Sequence, residues 1–125
     1  MITPARLLLL IAALCLCACA TTGRPTENRL VGKWRYEQGE QSAEYVFSKD
    51  RTFTGHVSSG RRVVADFTGR WSLAADAILY EYVSDRKGSI PPGTRDRDRL
   101  VSVTPGFYII EARDGSQRKY ARVRE

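Results

Sequence analysis

Reactive side chains are few in this chain, and their spacing excludes more chemistry than it supports. There is one histidine, His56, and the three cysteines, Cys15, Cys17 and Cys19, crowd together near the N-terminus. A histidine base needs a positioned nucleophile and an orienting acid within hydrogen-bond reach. Nothing around His56 is marked for either role. By alternation it shares a face with Thr52 and Thr54, opposite Phe53, and reads as a solvated strand residue. Asp96 and Asp98 have the spacing of a carboxylate pair, which glycoside chemistry uses. They alternate with Arg95, Arg97 and Arg99, however, and opposite charges in alternation at a strand start form a solvated edge that resists strand addition. Ser58-Ser59-Gly60-Arg61-Arg62 has the composition of an anion-binding loop without the phosphate-loop spacing, and a hairpin turn accounts for it. The expectation is a protein without catalytic residues, metal or cofactor.

The cysteines belong to a different chemistry. Residues 1–18 begin with a short basic segment ending at Arg6, followed by the uncharged run Leu7 to Leu14 and a close of small and sulfur-bearing residues. That layout is an export signal, and its apolar run falls short of the about 20 residues that span a bilayer. Leu16-Cys17-Ala18-Cys19 resembles the lipobox of bacterial lipoproteins, with Leu, a small residue before the cut, and the invariant cysteine after it. It departs only at Cys17, where Ala or Ser is commoner. Cys15 follows Leu14 and Cys17 follows Leu16, both too large for the position before the cut. The resemblance implies cleavage before Cys19, lipidation of Cys19 by a diacylglyceryl thioether, and an acylated amine. Each buried CH₂ contributes about 0.8 kcal/mol, so two or more chains make a stable anchor. Ala20 after the cysteine implies the outer membrane, with the domain facing the periplasm.

Maturation would leave about 107 of the 125 residues, enough for one domain with one core. Cleavage and lipidation would use up every cysteine, so stability must come from packing without disulfides, and Cys- or His-rich metal sites are excluded. The chain carries 20 Lys and Arg against 14 Asp and Glu, a formal charge of +6. No basic stripe or nucleic-acid motif accompanies that excess, and the compartment is wrong for nucleic acid. Arginine outnumbers lysine among the cations, a bias that often reflects genomic base composition, so the charge is discounted as a functional signal and leaves an anionic membrane surface or an acidic partner open.

Residues 19–29 hold Gly23 and Pro25 among polar side chains and read as a flexible tether, reaching roughly 30 Å when extended. From Leu30 the period is two. Gly32, Trp34 and Tyr36 alternate with Lys33, Arg35 and Glu37, and Val63 to Leu73 alternate with Val64 to Ser72. Less regular strands follow over 77–83, 97–104, 107–112 and 117–124. Turn residues separate them at Lys49-Asp50, Ser59-Gly60, Ala75-Asp76, Pro105-Gly106 and Asp114-Gly115. Residues 86–94, with Pro91-Pro92-Gly93, are the one long connection. No helix pattern of useful length follows the signal. About eight short-spaced strands over 30–125 predict an all-β, antiparallel up-and-down barrel, since closure removes the edges an open sheet would expose.

The order of motifs resembles the small bacterial lipocalin-like domains. Gly32-Lys33-Trp34 opens the first strand, Tyr45-x-Phe47 leads to Asp50-x-Thr52-Phe53, Gly69-Arg70-Trp71 recurs midway, and Asp114-Gly115 precedes Tyr120-Ala121-Arg122-Val123. The resemblance implies that Trp34 lies under the barrel floor with Arg122 packed over its ring. It also implies a binding role for the interior. Tyr36, Tyr45, Phe47, Phe53, Phe67, Trp71, Tyr80 and Tyr82 either line a ligand cavity or fill the barrel, and an eight-stranded barrel is near the size where both happen. The chain is shorter than a full lipocalin and lacks its disulfide, so a filled or nearly filled interior is expected. The function expected is a non-enzymatic module for a small apolar or lipid ligand or an envelope component. The alternative is a protein-interaction lipoprotein, an inhibitor or immunity protein directed at a cell-wall-acting enzyme.

Overall fold

Alternation places one set of side chains inside and the other in water, and eight such runs close on themselves. In the computed structural model, which describes residues 24–124, the strands are β1 (Gly32–Gln38), β2 (Gln41–Phe47), β3 (Thr52–Ser59), β4 (Arg62–Ala74), β5 (Ala77–Asp85), β6 (Arg95–Val103), β7 (Phe107–Glu111) and β8 (Gln117–Arg122). Each pairs antiparallel with its neighbour in sequence, and β8 returns to β1, completing the all-β up-and-down barrel read from the sequence. The closing seam is short: Trp34 pairs with Arg122 and Arg35 with Ala121, and the Val123 N–H donates to the Lys33 carbonyl at 2.8 Å. The export signal and Cys19 lie outside the described residues.

The turns at 48–51, 75–76 and 104–106 gather at one end, the floor. The tips at 39–40, 60–61, 86–94 and 112–116 gather at the other, the mouth. Between the floor and the middle the interior is packed with rings. Trp34, Phe47, Phe53 and Tyr108 are essentially excluded from solvent, and Phe67, Trp71 and Tyr80 nearly so. The Trp34 and Tyr108 rings meet edge-on with centroids 4.9 Å apart, and Phe47 meets Trp71 at 5.2 Å. Burial of each such side chain contributes roughly 1.5–3 kcal/mol, and the edge-to-face geometry adds to it.

Both Gly-x-Trp glycines are required by close approach. A Cβ on Gly32, whose φ is +140°, would strike the Arg122 guanidinium. One on Gly69 would strike the Glu81 carbonyl and lie 2.6 Å from the Phe53 ring.

Two expectations need correction. The flexible tether expected over 19–29 gives way from residue 24 onward to a helix, α1 (Arg24–Leu30), which lies at the floor. Seven residues are too few for a helix to stand alone, so tertiary contacts hold this one. Leu30 is fully buried, its carbonyl accepts from Trp34 Nε1 at 2.8 Å, and Glu27 pairs with Arg51 at 2.9 Å. Only Leu30 among those seven residues is a large apolar side chain, so no helical period was there to read. The second correction concerns Asp96 and Asp98, read as a solvated edge. β6 sits between β5 and β7 in a closed barrel and has no free edge. Asp98 is half-buried, while Asp96 stays exposed and lies 3.6 Å from Arg113.

Candidate functional site

Packing stops short of the mouth. Toward that end the interior opens into a cup of about 310 Å³, bordered by Tyr36 and Gln38 of β1, Gln41, Ser42, Ala43 and Tyr45 of β2, Val57 of β3, Ser116 in the preceding turn, and Gln117, Arg118 and Tyr120 of β8. β8 shows how one strand builds both ends of the molecule. Its alternate residues Arg122, Tyr120 and Arg118 rise from floor to mouth, and each is set in a different way.

Arg122 closes the floor. Its guanidinium carbon lies 4.1 Å from the centroid of the Trp34 ring. Nε donates to the Pro105 carbonyl at 2.6 Å, Nη1 to Val31 at 3.1 Å and Nη2 to Arg29 at 2.9 Å. Tyr120, above it, stacks on Tyr108 at 4.7 Å and meets Tyr36 and Tyr45 at 5.4 and 5.5 Å. Arg118 stands at the mouth, 5.9 Å from the Tyr36 ring centroid, and donates to the Tyr120 hydroxyl. The Tyr36 hydroxyl in turn donates to Gln38 Oε1.

Asp98 enters the same interior from β6. Burial raises its carboxyl pKa and nearby Asp96 adds to the rise, while a hydrogen bond from the Tyr80 hydroxyl and the field of Arg118 oppose it. Burial also pushes the Tyr45, Tyr80 and Tyr108 hydroxyls well above the ordinary phenol value, and takes Tyr82 up to about 12 with Asp96 and Asp98 adding to the effect. These hydroxyls are therefore protonated at neutral pH. That of Tyr80 donates to Asp98.

The eight aromatic residues expected at a cavity wall divide sharply. Tyr36 and Tyr45 line the cup. Phe47, Phe53, Phe67, Trp71 and Tyr80 are packed core below it, and Trp71 Nε1 is committed to the Ser48 carbonyl at 3.1 Å. Tyr82 is half-buried against Phe67 and Phe53, with centroids 5.0 and 5.7 Å away. Sequence reading missed Arg118 and the amides of Gln38, Gln41 and Gln117. The signal for Arg118 was present, since counting back by twos from Arg122 reaches it on the interior face.

Other candidates lie outside the barrel. His56 projects outward with Nδ1 3.9 Å from Asp66 Oδ1, both side chains substantially exposed. A furrow of about 450 Å³ bordered by Thr52, Arg70, Glu81 and Arg95 runs along the outer face of β3–β5. Its charged side chains already face each other, with Arg95 3.8 Å from Glu81. The cup is the site that combines interior position with convergent polar groups.

No protein-family model matches the chain, and no curated protein matches it. Among the solved structures that share its architecture are two that overlap most of this chain. One is a lipocalin-like protein from Bacteroides uniformis, with a TM-score of 0.58 and 18% identity, the match covering 76% of this chain and 99% of that one. The other, also from Bacteroides uniformis and determined by NMR, has a TM-score of 0.57 and 17% identity, over 79% and 93% of the two chains. At such identity the likeness concerns architecture alone, and in architecture this chain is a lipocalin-like barrel.

Proposed function

We propose that the protein is a non-enzymatic binding module of the cell envelope. It is anchored to the outer membrane through lipid on Cys19, faces the periplasm, and takes a small ligand, a lipid fragment or other envelope component, in the mouth cup. The observation that carries this reading is the division of the interior. The floor half is filled with rings, while the mouth half leaves about 310 Å³ between three tyrosines and a set of polar side chains. Pockets that hold small molecules begin at about that size and share that mixture of aromatic wall and few polar groups.

Ala43 provides the test, because it lines the cup and is itself nearly buried. In Ala43→Trp the indole occupies the cup. Native mass spectrometry of the wild-type protein extracted from envelopes should show a bound small molecule, and Ala43→Trp with an unchanged circular dichroism spectrum should come without it. Identical adducts on both proteins, or none on either, would count against the cup.

The 86–94 connection gives the second reading an observation of its own. The Asp85 carboxylate accepts from the backbone N–H groups of Asp66, Lys87, Ser89 and Ile90 at 2.9–3.0 Å, and Ser89 Oγ donates to the Val64 carbonyl at 2.8 Å. A loop fastened this firmly and bearing the exposed Arg86 and Lys87 suits an inhibitor or immunity protein. The same extracts discriminate, because this reading expects a retained envelope enzyme that is lost with Arg86→Glu and kept with Ala43→Trp.

A further inference from the structure

Arg118 is the cation of the cup, and no carboxylate comes within ion-pair distance of it among the described residues. Seven ion pairs form among the described residues, and Arg118 takes part in none of them. None of the residues bordering the cup is acidic. Two carboxylates act on Arg118 through their fields, Asp98 from β6 and Asp114 in the β7–β8 turn, and neither forms an ion pair with it.

The guanidinium is nevertheless placed. The Tyr36 ring lies 5.9 Å beneath it and the Tyr120 hydroxyl accepts one of its protons. A guanidinium has five N–H donors in a planar fork, so most of them remain for a ligand. Gln41 and Gln117 add amides at the same rim. Depth sets the other half of the specification. Below Tyr45 and Tyr120 the interior is occupied by the buried rings of Tyr108 and Phe47, so the depth suits a short body rather than a long acyl chain.

The geometry points to a compact anion as the ligand, a carboxylate or phosphate on a short apolar body. Its anionic group takes the Arg118 fork, and its body lies against the rings of Tyr36, Tyr45 and Tyr120. This assignment rests on the cup being the binding site. A fork matched to two oxygens discriminates by geometry as well as charge, which an ammonium does not do.

Isothermal titration calorimetry on the full chain in phosphatidylcholine nanodiscs tests it with three probes of similar body: benzoate, phenyl phosphate and uncharged benzyl alcohol. At least one anion should bind about ten-fold or more tightly than benzyl alcohol, and the tighter of the two identifies carboxylate or phosphate as the natural group. Arg118→Gln should reduce the anion to the level of benzyl alcohol, and Arg118→Lys should fall between. Arg118 is exposed, so neither variant removes core packing, and an unchanged thermal midpoint verifies the fold. If benzyl alcohol binds as well as both anions, or Arg118→Gln keeps the anion affinity, the ligand class is wrong while the cup survives as a site. Absence of binding by any probe also overturns the anion assignment. The cup itself is then judged separately, by whether Ala43→Trp loses the co-extracted molecule.

Discussion

Arg122 joins parts of the chain that are far apart in sequence. Its three donors fasten the carbonyls of Arg29 at the end of α1, Val31 before β1 and Pro105 in the β6–β7 turn, while its flat face covers Trp34. Strand parity and barrel closure alone bring Trp34 and Arg122 to one place, and the two are Cα partners across the seam. Loss of this side chain removes packing, the cation–π contact and three hydrogen bonds together. Arg122→Ala is therefore expected to lower stability by roughly 1–3 kcal/mol in urea denaturation. Arg122→Lys should restore only part of that, since an ammonium cannot reach three carbonyls from one plane. Arg124, exposed and beyond the last strand, should cost less than about 0.5 kcal/mol when changed to Ala. Equal costs at 122 and 124 would mean that the floor contact does not stabilise the barrel.

Asp85 plays a comparable part for one element, the connection from β5 to β6. Hydrogen bonds from backbone N–H groups, that of Asp66 foremost, hold its carboxyl below the ordinary carboxylate range, with Lys87, Ile90 and Ser89 contributing. A carboxyl whose folded pKa is lowered stabilises the structure above its unfolded pKa and loses that effect as pH falls through the folded value. Hydrogen exchange should therefore show the amides of Lys87, Ser89 and Ile90 losing protection on acidification, and losing about ten-fold or more at neutral pH in Asp85→Ala. Protection unchanged in the variant would show that the loop is ordered by something else. Sequence reading located this connection at 86–94 but not what orders it, because a strand-end aspartate looks like any turn residue until its neighbours are placed. The strands themselves were legible because alternation is a local signal, and β4, the longest run, was the clearest. Helix α1 was not legible, since its stability comes from Arg51 and Arg122, both distant in sequence, and from Trp34, whose bond to Leu30 forms only once β1 is in place. The cup was half legible. Tyr36 and Tyr45 were readable as interior rings, but whether a ring lines a space or fills one depends on its height in the barrel, and height follows from register.

For the molecule as a whole, the tyrosines tie fold to pH from the alkaline side. Tyr45, Tyr80, Tyr82, Tyr108 and Tyr120 have folded pKa values raised first by burial, so the folded state holds protons that the unfolded chain releases near pH 10. Their stabilising effect is complete below that pH and is lost as pH rises toward about 12, the value for Tyr82. Tyrosinate absorbance should accordingly appear together with loss of the β-sheet signal, and smooth titration of a still-folded barrel would contradict the burial of these rings. Orientation follows from the same architecture. Helix α1 meets the barrel at the floor, where Glu27 pairs with Arg51 and Leu30 lies beneath Trp34, so the chain arrives from that end. From the proposed lipid on Cys19, residues 19–23 extend at most roughly 18 Å before the helix begins. With that proposed anchor, a lead that short would turn the floor toward the bilayer and open the cup away from it. Because the chain has no cysteine after Cys19, single fluorophores on Lys49→Cys at the floor and Glu40→Cys at the mouth report the two ends separately. A nitroxide on the lipid headgroups should quench the floor label strongly and the mouth label weakly, and Cys19→Ser should abolish incorporation of a fatty-acid probe and leave the precursor uncut. Stronger quenching at the mouth would invert the orientation, and fatty-acid labelling that survives Cys19→Ser would remove the anchor on which it depends.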